Sequence, residues 1–145
     1  MAITYVSGNI FHTTAEVLVI PVNCVGVAGC GLALQCKEWY PAWYRLYREC
    51  CRTGALQIGR PLLHWGVEPM VLSFPTKDDW RSPSRLEDIE MGLLRANELC
   101  IVHGIASIAY PKLGTGAGGL SWQVVRPLME EYLRGLSLCD IKVYV

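Results

Sequence analysis

Three stretches gather residue types that can do chemistry. The first is Asn23-Cys24-Val25-Gly26-Val27-Ala28-Gly29-Cys30-Gly31, and the second is Leu113-Gly114-Thr115-Gly116-Ala117-Gly118-Gly119-Leu120. Glycine lets a backbone approach an anion closely, and bare amides at a helix start attract phosphate. One such loop is equally well explained as a tight strand–helix turn; two in one small chain point to a clamp on a diphosphate. The third stretch is Ser73-Phe74-Pro75-Thr76-Lys77-Asp78-Asp79-Trp80-Arg81. There a lysine held partly out of water can act as a nucleophile at a sugar carbon. Trp80 can pack on a sugar or base, and Arg81 can meet a phosphate. The same stretch also reads as a solvated loop with an ordinary surface lysine.

The surrounding elements would bring these stretches together. Short apolar runs at residues 3–6, 17–22, 62–65, 70–74, 105–110 and 141–145 read as strands. Those at 17–20 and 105–110 are almost continuously apolar, as in strands covered on both faces. Residues 31–51 read as one helical region divided at Pro41, which suits the first position of the second piece. Ser84-Arg85-Leu86-Glu87 has the capping-box form and opens a helix with Leu86, Ile89, Leu93, Ala96 and Cys100 on one face. A last helix starts near Ser121 or Trp122, is expected to kink at Pro127 and stops at Gly135. Alternating strands and helices predict a three-layer α/β/α domain, and no linker or repeat divides residues 1–145. Ligands of such sheets bind at the carboxyl ends of strands, where each stretch begins. A surface glycine loop should also accept valine at Gly116 or Gly118 without unfolding, while the new side chain blocks the ligand.

The P-loop pattern is absent because Leu120 follows Gly119, which argues against nucleoside triphosphate hydrolysis. Residues 114–119 satisfy G-x-G-x-x-G, but a dinucleotide fold begins with that fingerprint and too little chain follows it here.

Composition narrows the classes further. The chain has 145 residues, 52% apolar and 18% charged, a balance that excludes intrinsic disorder. Lys+Arg and Asp+Glu each number 13, so a basic nucleic-acid-binding surface is absent in bulk. No apolar run approaches the roughly 18 residues of a membrane span, and no secretory leader is visible. No membrane partner and a cytoplasmic location are expected. Seven cysteines without a C-x-x-C pair predict reduced, buried or half-buried thiols. The three histidines are scattered, so neither a metal nor another cofactor is expected. His64 and His103 read as packing or surface residues. Trp39, Trp43, Tyr44 and Tyr47, at helical spacing, read as core aromatics.

Residues 22–35, Phe74-Pro75-Thr76-Lys77 with Trp80-Arg81 and residues 84–89, and residues 107–122 together resemble the macrodomain family. The branch is that of DNA ADP-ribosyl glycohydrolases (DarG) and terminal ADP-ribose protein glycohydrolases. The resemblance runs from Gly8 to Leu133. Phe-Pro-Thr-Lys followed by Trp-Arg points to this branch, whereas the glycine loops point only to a macrodomain. The implied fold is a three-layer α/β/α macrodomain with a central mixed, mostly parallel sheet of about six strands. The implied ligand is ADP-ribose, with Gly8, Asn9 and Ile10 beside the adenine and Asn23 at the distal ribose. Gly29, Cys30, Gly31 and Leu32 would line the diphosphate and distal ribose. Leu113, Gly114, Thr115, Gly116, Ala117, Gly118 and Gly119 would cover the diphosphate from the other side. Thr76 and Trp80 complete the implied binding set, and Lys77 is the implied catalytic lysine, acting at the anomeric carbon of the distal ribose. The chain departs from the branch at Ala28, Cys30, Asp79 and Lys112, where Met, Lys, often His, and Pro usually stand. Protein-directed relatives carry an acidic residue near Gly118, and its absence favours DNA.

Three functions follow as alternatives. One is removal of ADP-ribose from a base of ADP-ribosylated, single-stranded DNA, an antitoxin role that reverses a DarT-like toxin partner. The second is ADP-ribose 1″-phosphate phosphatase activity, and the third is a non-enzymatic ADP-ribose reader. Lys77 separates them, because a reader does not need it.

Overall fold

The apolar runs do form strands, and the chain between them forms helices. A computed structural model describes residues 2–145. In chain order the elements are β1 (Ala2–Val6), β2 (Val17–Asn23), α1 (Gly31–Trp39), α2 (Pro41–Arg52), β3 (Leu62–His64), β4 (Met70–Lys77), α3 (Leu86–His103), β5 (Ser107–Tyr110), α4 (Trp122–Leu133) and β6 (Asp140–Tyr144). The strands form one sheet in the order β1-β6-β5-β2-β4-β3. Every pairing is parallel except β3 with β4. This is the expected α/β architecture with its mixed, mostly parallel sheet.

Alternation along the central strand separates two cores. Val17 and Val19 pack with Ile89, Leu93, Val125 and Met129 of α3 and α4 on one face. Leu18, Ile20 and Val22 pack with Trp43 and Tyr47 of α2 on the other. A strand buried on both faces has no polar side to alternate with, which is why residues 17–20 read as an unbroken apolar run. Because five strands run the same way, the carboxyl ends of β1, β2, β4, β5 and β6 meet at one edge of the sheet.

Several expectations change in detail. β4 continues through Pro75, Thr76 and Lys77 instead of ending at Phe74. Pro75 is tolerated because β3 pairs with β4 only at residues 71–73, so no ladder bond on that side needs its missing N–H. Lys77 therefore sits on the end of a strand, not on a free loop. The capping box does not form: Arg85 is the N-cap and makes no side-chain capping bond. Ser84 instead donates its backbone N–H to the Gly118 carbonyl at 3.0 Å. Pro41 does occupy the start of α2, and α4 continues unbroken through Pro127. Trp43 and Tyr47 are core residues, but Trp39 stacks on Phe11 at the surface with ring centroids 5.5 Å apart. All seven cysteines are free thiols, and Cys30 is exposed rather than buried. Among the described residues, no helix is long and apolar enough to cross a membrane.

A buried polar chain sits between β3, β4 and α2. Trp43 Nε1 donates to Ser73 Oγ at 3.0 Å, and Ser73 Oγ lies 2.7 Å from His64 Nε2. Since Trp43 occupies the hydroxyl as acceptor, the Ser73 hydrogen can go to His64 Nε2, which requires a neutral imidazole. Burial lowers the His64 pKa to about 4. The unfolded chain would protonate near pH 6.5. Stability is thus undiminished above about pH 6.5 and declines as pH falls from there toward 4, because the unfolded state takes up the proton first. The expected loss between about pH 7.5 and 5 is about 2 kcal/mol. Urea unfolding should show this loss in the parent and a flatter pH profile in His64→Leu; equal slopes would contradict it.

Candidate functional site

A cavity of about 880 Å³ opens at the sheet edge where the five parallel strands end. That volume falls within the usual range for a small-molecule site. Each contributing element is one that the parallel order brings there. The β1 exit supplies Gly8, Asn9 and Ile10; the β2 end and its loop supply Asn23, Gly29 and Cys30; the start of α1 supplies Gly31 and Leu32. The β4 end supplies Thr76, Lys77 and Trp80, and the loop after β5 supplies Gly114, Thr115, Gly116, Ala117 and Gly118. Two expected residues do not line the cavity. Leu113 is fully buried in the core, and Gly119 lies outside the lining. Both belong to the second loop's frame: Leu113 anchors its start, and Gly119, at φ +80°, donates to the Gly116 carbonyl at 3.1 Å.

The first loop is shaped by the Asn23 side chain. Its Nδ2 donates to the Val27 carbonyl at 2.7 Å. Its Oδ1 accepts from Val25 N at 3.1 Å, Val27 N at 3.3 Å and the Tyr47 hydroxyl at 2.9 Å. One Nδ2 hydrogen is left over for a ligand, so Asn23 has less freedom to bind than its position in the sequence suggests. Tyr47, read from the sequence as packing alone, supports this loop from α2; burial first of all raises its pKa and keeps it a neutral donor. Beyond the loop, Gly31, Leu32 and Ala33 line the cavity at the first turn of α1. N–H groups in a first turn have no acceptor within their own helix and, with the helix dipole, favour an anion.

The second loop faces them. Leu120 N donates to the Gly114 carbonyl at 3.0 Å, closing the loop on itself. The amides of Gly116, Ala117 and Gly118 make no hydrogen bond to another described residue. Gly116 has open space around its Cα. Gly118 does not: an added Cβ would stand 2.5 Å from the Gly114 carbonyl oxygen and closer still to Ser84 Oγ. The expectation that valine is harmless to the fold at both positions is therefore corrected for Gly118.

Among the described residues, two side chains bring charge to the lining, Lys77 and Lys112, and no Asp or Glu side chain does. Lys77 Nζ donates to the Trp80 carbonyl at 3.0 Å. Cys24 N donates to the Asp78 carbonyl at 2.9 Å, tying the first loop to the turn after β4. The Asp79 carboxylate accepts from Arg81 Nε at 2.9 Å and from the other guanidinium nitrogen at 2.7 Å. That pairing lowers the Asp79 pKa to about 2, so Asp79 is a poor base. It also occupies Arg81, which sequence reading made available to phosphate. Among the described residues, no group of three or more His, Cys, Asp or Glu is placed to hold a metal.

Sequence reading left nine lining residues unassigned, among them Lys112, Tyr144 and Val145, and missed the roles of Tyr47 and Ser84. Tyr144 and Val145 were recoverable from topology, since β6 ends at the same edge. Nothing local marks Tyr47 or Ser84, whose partners lie 24 residues away and across the α3–β5 crossover. Gly118→Val should lower stability by about 2 kcal/mol through overpacking, or about 5 °C in melting temperature. Gly116→Val should leave the melting temperature within about 2 °C. Equal melting temperatures for both variants would contradict this placement of Gly118.

The comparisons agree with this arrangement of loops and strands. The Macro domain family matches residues 19–129. The DNA ADP-ribosyl glycohydrolase of Mycobacterium tuberculosis is 38% identical over 146 residues, covering 98% of this chain and 42% of that protein. A solved structure of the macrodomain of Mycobacterium tuberculosis DarG superposes with a TM-score of 0.95 at 38% identity, over 99% of this chain and 97% of that one. Thermosipho africanus DarTG in complex with ADP-ribose superposes with a TM-score of 0.92 at 34% identity, over 98% of this chain and 41% of that one. The chain spans about two-fifths of the length of the curated DNA ADP-ribosyl glycohydrolases it matches. With a match through both glycine loops and relatives that keep the same fold end to end, the chain belongs to the Macro domain family.

Proposed function

We propose that the cavity binds ADP-ribose and that the chain removes it from a base of ADP-ribosylated DNA, reversing a DarT-like transferase in the cytoplasm. One observation carries the reading: Lys77, held at the end of β4, lines the same cavity as two sets of free amides, and no Asp or Glu side chain among the described residues joins it there. The amides at the first turn of α1 and in the second loop suit a diphosphate from two sides. The distal ribose then lies between Asn23 and Lys77, with its anomeric carbon toward the lysine.

In the net reaction, water adds to the anomeric carbon, the bond to the base nitrogen breaks, and that nitrogen keeps the electron pair and gains a proton. Lys77 assists either by attacking the anomeric carbon as an amine or by supplying that proton as an ammonium. Asp78 and Asp79 do not line the cavity, and Asp79 is held by Arg81, so neither carboxylate is placed to activate the water. The same lack of an acidic side chain in the lining leaves the phosphatase reading without an Asp or Glu base. A reader would need no lysine at this point.

Lys77→Ala should slow release of ADP-ribose from a modified oligonucleotide by about 10²–10⁴-fold while ADP-ribose affinity stays within a few fold. Lys77→Arg should fail as well, because arginine remains protonated and neither attacks nor gives up a proton. Parental release by either variant would overturn the assignment. Equal loss of binding and turnover would make Lys77 a ligand contact only.

Gly116→Val, whose Cβ meets no neighbour within 4 Å, should weaken ADP-ribose binding by an order of magnitude or more, because its side chain enters the space between the two sets of amides. Calorimetry that gives the parental affinity for this variant would move the diphosphate elsewhere.

A further inference from the structure

We propose that Trp80 is the platform on which the departing nucleobase stacks, so that this one side chain selects a base on single-stranded DNA as the leaving group. The inference rests on the reading above, in which Lys77 faces the anomeric carbon.

Among the described tryptophans, Trp80 is the one that lines the cavity. Trp43 is fully buried and hydrogen bonded, whereas Trp80 lines the cavity with 51% of its surface exposed. A half-exposed indole at a cavity rim leaves apolar area in water that a flat partner can cover. Its place along the cavity decides which partner that is. Strand order puts the β4 end four strand spacings from the β1 end, about 19 Å. Gly8, Asn9 and Ile10 stand at the β1 end, and Lys77 with Trp80 at the β4 end. A ligand whose anomeric carbon lies at Lys77 has its adenosine toward β1. Whatever is attached to that carbon then lies at the β4 end of the cavity, the end that Trp80 lines together with Lys77.

The indole is also held ready. Asp79 accepts from Arg81 N at 2.9 Å and pairs with the Arg81 guanidinium through both oxygens. Ser82 N donates to the Asp79 carbonyl at 3.0 Å. The turn thus locks itself, and Arg81 Cζ lies 5.3 Å from the centroid of the Trp80 ring. One ring face meets this cation, and a base can take up the other. The Trp80 carbonyl receives the Lys77 ammonium at 3.0 Å, so the stacking surface and the reacting amine share one rigid turn. Stacking on an aromatic face requires an unpaired base, because a base inside a duplex already has its faces covered. It also suits a chain of zero formal net charge, which draws little from phosphate contacts.

The test uses a short single-stranded oligonucleotide ADP-ribosylated on one base, with the parent chain, Trp80→Ala and Trp80→Phe. Alanine keeps the backbone carbonyl that Lys77 uses, so kcat should move less than KM. Trp80→Ala should raise KM by about tenfold or more, and Trp80→Phe should recover most of that. The rise should be several-fold larger than any change in the Kd of free ADP-ribose measured by calorimetry. It should persist between about 50 and 200 mM salt, where a phosphate contact would fade. An unchanged KM, or an equal loss of affinity for free ADP-ribose, overturns the proposal; so does an effect that salt abolishes. A parent chain that releases no ADP-ribose from the oligonucleotide overturns the functional reading, and this proposal with it. Release by the parent with no Trp80 effect overturns this proposal alone.

Discussion

β2 and β4 lie side by side in parallel, and their register slips between Val22 and Asn23, so that Asn23 ends up opposite Lys77. The pairing fixes where two chemically unrelated loops begin. Beyond it, Cys24 N reaches the Asp78 carbonyl, so the strands stay joined for one more step after their backbone ladder ends. Parallel strands cannot be joined by tight hairpins; each return crosses a face of the sheet, and each new exit falls at the same edge. The glycine loops, the lysine turn and the β6 end meet there for that reason, although they are far apart along the chain.

The site divides its work between backbone and side chain. Amides at the α1 start and in the second loop can face an anion through backbone N–H groups alone. Their geometry depends on groups that never face the ligand: Tyr47 against Asn23, and Ser84 against Gly118. Glycine at 118 is therefore a packing requirement, whereas glycine at 116 keeps space free for a ligand. Two neighbouring glycines in one motif thus have different physical reasons to be there.

The turn after β4 shows a comparable economy. Asp79 and Arg81 look like catalytic and phosphate-binding groups when read one at a time. Paired, they neutralise one another and stiffen the turn that carries Lys77 and Trp80. An ion pair this exposed adds little to global stability; its value lies in restricting a short segment next to the reacting amine.

Periodicity and residue type in the sequence determined the elements themselves. Continuous apolar runs marked strands buried on both faces, Pro41 marked the break between α1 and α2, and glycine loops after strands marked the ligand edge. These are local effects of backbone and solvent, so they survive in one dimension. Most of the site could be read in the same way, because a parallel sheet sends every such loop to one edge. Tertiary structure decided what depends on neighbours distant in the chain. It extended β4 to Lys77 by leaving Pro75 without a β3 partner, diverted Ser84 from its helix cap to Gly118, and occupied most of the Asn23 amide within its own loop. It also added Lys112, Tyr144 and Val145 to the lining. A side chain's hydrogen-bonding capacity is finite, and which partner claims it is settled only when the chain is folded.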